Sequence, residues 1–196
     1  GFHSVDGVRA ATRGPARRIT EAPVWPAQPR RTPEPGARGG GLPLTGIRVL
    51  EIGTGVAAPE AGRVLGEWGA DVIKVEHRNR PDFQRRVFNS DMNPAFATPA
   101  RCKRGLGADL GHPDGLALVR DLLPKVDVVV ENNATGVLDR LGLGWGALQE
   151  ANPSLVLVST QLYGNRGPWA TRKGYGPSGR ASGGLTWLWA HDLDAP

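Results

Sequence analysis

Apolar positions along this chain fall into a regular pattern only from Leu44 onward. Ile47-Arg48-Val49-Leu50-Glu51-Ile52 is a short, mostly apolar run between Gly46 and Gly53, the pattern of a buried strand. Gly53-Thr54-Gly55-Val56-Ala57-Ala58 is a turn of small residues, and Pro59 sits where a first-turn helical proline would. The segment Ala61–Trp68 reads as a helix ended by Gly69, and Asp71–Glu76 as a second strand. A strand, helix and strand in so short a span predict a crossover between parallel neighbours.

The alternation continues to the end of the chain. Residues 77–101, rich in Arg, Asn and Pro, read as a loop, and Gly105–Leu110 as a short strand. His112-Pro113-Asp114 opens a helix through Leu123, with Leu116, Val119, Leu122 and Leu123 on one face. Val126–Val130 is a β-branched run of the kind that parallel sheets bury. Short helices are expected over Gly136–Leu141 and Trp145–Ala151, a strand over Leu155–Ser159, and a last helix over Pro177–Trp189 after a Gly-rich loop, 164–174. The fold expected is α/β: a Rossmann-like, doubly wound, mainly parallel sheet with flanking helices over residues 42–196.

Residues 1–41 carry no sustained period. They hold seven Arg, six Pro and a closing Gly39-Gly40-Gly41, and read as an irregular tail or linker. The tail has a net charge of +4 out of +5 for the chain. The high isoelectric point therefore belongs to the tail, and the domain offers no basic excess for nucleic acid. A single cysteine, Cys102, excludes an internal disulfide and fits a cytoplasmic protein. No apolar run is long enough to span a membrane.

Candidate chemistry centres on Gly53-x-Gly55-x-x-Ala58 between a strand and a helix, with Glu76 closing the next strand. Small residues at a helix N-terminus let phosphates approach backbone N–H groups, and the acid suits a ribose hydroxyl. Alone, the turn fits an NAD-type dinucleotide module or simply tight packing. Pro59 removes one N–H, and no second mononucleotide-binding half follows. Arg101-Cys102-Lys103-Arg104 suits an anionic ligand or a solvated loop. Glu131-Asn132-Asn133 follows a buried strand at the carboxyl edge, where open α/β sheets bind ligands. Arg140 lies on the next helix, and the loop Arg166–Tyr175 reads as a ligand lid or an ordinary surface loop. The four histidines are scattered and Cys102 has no partner, so no metal spacing appears.

The ordered set Pro43-Leu44-x-Gly46-Ile47-Arg48-Val49-Leu50-Glu51, Gly66-x-x-Gly69-Ala70-Asp71-Val72-Ile73-Lys74-Val75-Glu76, Lys103-Arg104, Asp127–Asn132, Gly136-Val137-Leu138, Asn152-Pro153, Gly167-Pro168 and Gly174-Tyr175 resembles the family III CoA-transferases (the CaiB/BaiF group). The resemblance implies CoA transfer between an acyl-CoA and a carboxylic acid through an aspartyl intermediate, with an interlocked homodimer. It places coenzyme A contacts on Val56, Ala57, His77, Arg104, Ala108, Asp109, Asn132, Asn133, Arg140, Lys173, Gly174 and Tyr175. His77 stands where relatives often carry Arg, and Asn133 where they usually carry an aromatic. The family's nucleophilic aspartate is expected roughly 30 residues past Gly174-Tyr175, so no residue of this chain is assigned to it. The chain is then the CoA-binding part, incomplete at its C-terminus and inactive alone. Alternatives are a dehydrogenase's NAD module or a non-catalytic interaction fragment. Residues 1–33 loosely resemble the end of a preceding transferase unit, which implies a tandem parent.

Overall fold

The computed structural model describes residues 41–87, 90 and 92–189, and the expected tail lies almost wholly outside them. Five parallel strands form one sheet: β1 Arg48–Ile52, β2 Asp71–Glu76, β3 Lys103–Gly107, β4 Val128–Glu131 and β5 Val156–Ser159. Their spatial order is β3-β2-β1-β4-β5. Leu50 pairs with Ile73 on one side and with Val129 on the other, so β1 is the central strand. The chain builds outward from β1 through β2 to β3, then crosses back to β4. The carboxyl ends of β1 and β4 are thus the topological switch point, where open α/β sheets leave a crevice.

Among the described residues five helices lie between strands, α1 Ala57–Glu67, α2 Pro94–Ala100, α3 Pro113–Leu122, α4 Val137–Arg140 and α5 Trp145–Ala151, and two follow β5, α6 Gly176–Ser182 and α7 Leu185–Leu188. One face of the sheet packs Leu50, Val75 and Val129 against Val119, Leu123, Leu143 and Leu148. The other packs Val49, Val72 and Val130 against Ala58 of α1. Successive strand residues point to opposite faces, so a run such as Val128-Val129-Val130 serves both cores.

Helix α1 lies close to the sheet because its inward positions are small. Ala58 and Gly62 are buried, and Gly66 follows on the same stripe. A Cβ at Gly62 would strike the Glu51 carboxylate, and one at Gly66 would come within 2.6 Å of the Cys102 carbonyl. Spacing of four brings these residues onto one face.

Several expectations change: α1 begins at Ala57 rather than Ala61, and β4 runs Val128–Glu131 rather than Val126–Val130. Residues 77–101 are not all loop: Asp82 opens a 3-10 turn, Phe83–Arg86, and Asn93 caps α2 through its side chain on the Phe96 N–H (3.1 Å). Strand β3 runs Lys103–Gly107 rather than the expected Gly105–Leu110: its pairing with β2 spans Val72↔Lys103 to Glu76↔Gly107, and the Lys103 ammonium is anchored on the Pro59 carbonyl (2.6 Å) and the Glu51 carboxylate (2.6 Å). The expected last helix is two, α6 and α7, broken at Gly184 with φ +79°.

Candidate functional site

The site forms where the turn after β1 meets the segment after β4. Asn132 accepts from the Thr54 N–H (3.0 Å) and donates to the Thr54 carbonyl (2.8 Å). Asn133 donates from Nδ2 to the Ile52 carbonyl (2.9 Å). Two adjacent Asn side chains therefore close the seam between β1 and β4 beyond the last strand pairs. Gly53 has no room for a side chain, since a Cβ there would lie 2.5 Å from Ala58 and 2.8 Å from Asn132 Oδ1. Its smallness serves close packing of strand, helix and Asn132.

The Gly55 N–H is also engaged. It donates to the Asp82 carboxylate, 3.0 Å from each oxygen. Asp82 is buried, and the Lys74 ammonium lies 3.2 Å from it, 3.1 Å from Glu51 and 2.7 Å from the Gly53 carbonyl. Glu51 in turn meets Lys103. Two carboxylates and two ammoniums thus interlock beneath the turn, a balanced set that limits the penalty of burying charge. Burial lowers the Lys103 pKa, and its contact with Glu51 opposes that shift.

Two clefts flank the seam. The first, about 320 Å³, is lined by Thr54, His77, Arg80, Ala108, Asp109 and Asn133, with Val137 and Leu141 beneath. His77 Nδ1 accepts from the Asn79 (2.9 Å) and Arg80 (3.0 Å) N–H groups, which leaves the proton on Nε2, 2.9 Å from Asp109. That hydrogen bond, then the Gly111 N–H (2.8 Å), hold the Asp109 carboxyl below its ordinary range. The second cleft, about 610 Å³ and more apolar, is lined by Val56, Ala57, Phe83, Asn132, Gln161, Gly174 and Tyr175. Phe83 and Tyr175 meet edge to face at 5.7 Å between ring centres. Thr160, also on this cleft, has a buried hydroxyl with no hydrogen-bond partner among the described residues.

Glu131 joins the two clefts. Its buried carboxylate accepts from the Asn133 N–H (2.7 Å) and Nδ2 (3.1 Å) on one side, and from Ser159 and Gln161 Nε2 (2.8 Å) on the other.

The residues expected to contact the cofactor thus divide. His77, Ala108, Asp109 and Asn133 border the first cleft, and Val56, Ala57, Asn132, Gly174 and Tyr175 the second. Arg140 and Lys173 are exposed and line neither. Arg104 stands apart: it lies within β3, ion-paired with Asp71, and faces a different hollow. Glu76, the expected ribose partner, is bound by Arg85 at 2.6 Å, and that guanidinium stacks on Phe96 at 3.6 Å. Asp82, Thr160 and Gln161 escaped the sequence reading. Only Asp82 carried a signal, as an Asp after Pro81 at a turn start. No group of three or more metal-ligating side chains occurs among the described residues.

A family model, CoA-transferase family III, matches residues 44–196. The chain belongs to this family. Across its whole length it is 41% identical to a probable CoA-transferase of Mycobacterium tuberculosis, of which it covers 25%. It is 37% identical to the alpha subunit of a succinyl-CoA–L-malate CoA-transferase of Chloroflexus aurantiacus, over 75% of this chain and 35% of that one. A solved CaiB/BaiF family protein from Brucella suis superposes with a TM-score of 0.68 at 35% identity, over 74% of this chain and 40% of the other. The chain therefore spans a quarter to about a third of the curated relatives it matches. Its five-stranded parallel sheet is the Rossmann-like part expected of a family III CoA-transferase.

Proposed function

We propose that this chain is the CoA-binding part of an enzyme that moves CoA between carboxylic acids, from an acyl-CoA to a free acid. The observation that carries this reading is the pair of unlike clefts meeting at Thr54, Asn132 and Asn133. CoA has an anionic nucleotide end and a long, uncharged pantetheine arm. Arg80 and His77 border the cleft suited to the first, and Asn133 supplies neutral hydrogen-bonding capacity there. Val56, Ala57 and Tyr175 border the cleft suited to the second, where the unpartnered Thr160 hydroxyl can meet an amide of the arm. Arg140 and Lys173 are proposed as outer cations that approach the phosphates from solvent.

The dinucleotide alternative fits less well. A pyrophosphate needs free N–H groups at the turn, and those of Thr54 and Gly55 are already bonded to Asn132 and Asp82. In the reading proposed, an aspartate carboxylate attacks the acyl-CoA thioester, forming a mixed anhydride and expelling the CoA thiolate. The thiolate then attacks the aspartyl carbonyl of the anhydride, forming an aspartyl-CoA thioester and releasing the donor acid. That aspartate is not assigned here; Asp192 and Asp194 lie outside the described residues. The interlocked homodimer and the cytoplasmic setting belong to the same proposal. So does a tandem parent. The match to the mycobacterial relative includes the first 43 residues, which the family model leaves out.

Calorimetry of the chain with CoA and NAD side by side tests the reading. CoA is expected to bind and NAD to give no heat; binding of NAD alone would overturn it.

A further inference from the structure

The turn after β1 has the form of a phosphate seat, yet a carboxylate of the chain itself sits in it. Both oxygens of Asp82 lie 3.0 Å from the Gly55 N–H, and one also takes the Gln84 N–H at 3.0 Å. The same carboxylate meets the Lys74 ammonium at 3.2 Å and is 1% exposed. The Gln84 bond is Asp82's own cap on the 3-10 turn, whereas the Gly55 N–H and the Lys74 ammonium come from elsewhere in the chain. A backbone N–H and a cation around one buried anion is the arrangement that phosphate sites use.

The surroundings depend on that contact. Gly55 has φ +75°, and a Cβ there would lie 2.7 Å from the Phe83 ring, so the ring lies directly on the turn. Phe83 follows Asp82 in sequence, and its ring meets Tyr175. Gly55, Phe83, Gln84 and Tyr175 all line the more apolar cleft. One carboxylate thus joins a wall made by the turn to a wall made by residues 83–84.

We propose that Asp82 is a positioning residue, an internal anion that fills the phosphate seat of the turn and sets the shape of the apolar cleft for the uncharged arm of the ligand. This rests on the CoA reading for the ligand, but not for the internal anion. Filling the seat turns a Gly-rich turn from a phosphate binder into a wall, and directs the charged end of any ligand to the His77–Arg80 side.

Two measurements on the full chain test the proposal. In the first, pantetheine and adenosine 3′,5′-bisphosphate are titrated separately into wild type and Asp82→Asn. The variant keeps an oxygen for Gly55 and loses the charge. Pantetheine affinity is expected to fall about tenfold, because the wall at residues 83–84 is no longer held to the turn by a charged hydrogen bond, with bisphosphate affinity unchanged. Equal loss for both fragments would mean general loosening and would overturn the positioning role. In the second, the thermal midpoint of Asp82→Ala is followed against sodium formate, with sodium chloride as control. Formate is expected to raise the variant's midpoint and leave that of wild type unmoved, because the small anion re-enters the vacated seat. Equal responses to the two salts would overturn the internal-anion role. Should Asp82→Ala not fold, Asp82→Gly refolded with and without formate gives the same decision. Should wild type bind neither fragment, the CoA reading fails, and formate rescue still decides whether Asp82 fills the seat.

Discussion

Asn132 and Thr54 exchange a reciprocal pair of hydrogen bonds, side chain to backbone, at 3.0 and 2.8 Å. Asn132 thereby acts as an extra rung between β1 and β4, past the last paired strand residues, Ile52 and Glu131. Only an amide offers the required acceptor and donor on one planar group. Asn132→Asp keeps the acceptor but turns a carboxylate oxygen toward the Thr54 carbonyl. A loss of about 1–3 kcal/mol of stability is expected. Urea unfolding of the two proteins measures it, and an unchanged midpoint would show that the rung carries no stability.

The buried ion set predicts an order of effects. Lys74 bridges Glu51 and Asp82, whereas Lys103 meets Glu51 alone among carboxylates. Lys74→Met leaves buried Asp82 with no cation and Glu51 with Lys103 alone, and is expected to cost about 3–5 kcal/mol, the range for breaking a buried pair. Lys103→Met leaves Glu51 its contact with Lys74 and relieves an ammonium whose charge burial already disfavours, so it costs less. Guanidinium unfolding of both variants gives the order; the reverse order would contradict this account of the network.

Acid sensitivity is expected at Asp109. Its folded pKa lies below the unfolded value, first through His77 and then through the Gly111 N–H. The folded state therefore binds fewer protons than the unfolded chain in that range. The contribution is present above the ordinary aspartate pKa and is lost as pH falls through the lower, folded value. Asp109→Asn removes the titration, so its thermal midpoint should fall less steeply than wild type's over that acid window. Glu67, held low first by Arg101 and then by Arg63, predicts the same for Glu67→Gln. Parallel melting series in acid buffers give the comparison.

Periodicity made the sheet legible. The runs 47–52, 71–76 and 126–130 are rich in Val, Ile and Leu, and all three contain strands. Helix α2 was not legible, because Pro94 and Pro99 bracket a short apolar segment whose capping Asn93 looks like loop composition. Spacing found the switch-point residues Asn132 and Asn133. It did not find that the turn's N–H groups face inward to Asn132 and Asp82, since both are long-range contacts absent from any local pattern. Arg104 shows the converse. Local charge density suggests an anion site, while the partner, Asp71, sits on the neighbouring strand.

That contrast gives a further prediction, for Arg80, which borders the cleft proposed for the nucleotide end, and Arg104, which the resemblance offered as a CoA contact. Arg80 is exposed at the first cleft, beside His77. Arg104 spends its guanidinium on Asp71 and faces another hollow. Arg80→Gln is expected to weaken CoA binding about tenfold or more at low ionic strength. The gap to wild type should narrow as salt rises, because an exposed charge contact is screened over about 10 Å at 0.1 M. Dephospho-CoA should show a smaller gap if the 3′-phosphate is the group met. Arg104→Gln should leave affinity unchanged at every salt concentration. Calorimetric titrations of wild type and both variants at three ionic strengths provide the test. A salt-dependent loss at Arg104 with none at Arg80 would move the phosphates to the hollow beside β3, and with them the polarity assigned to the two clefts.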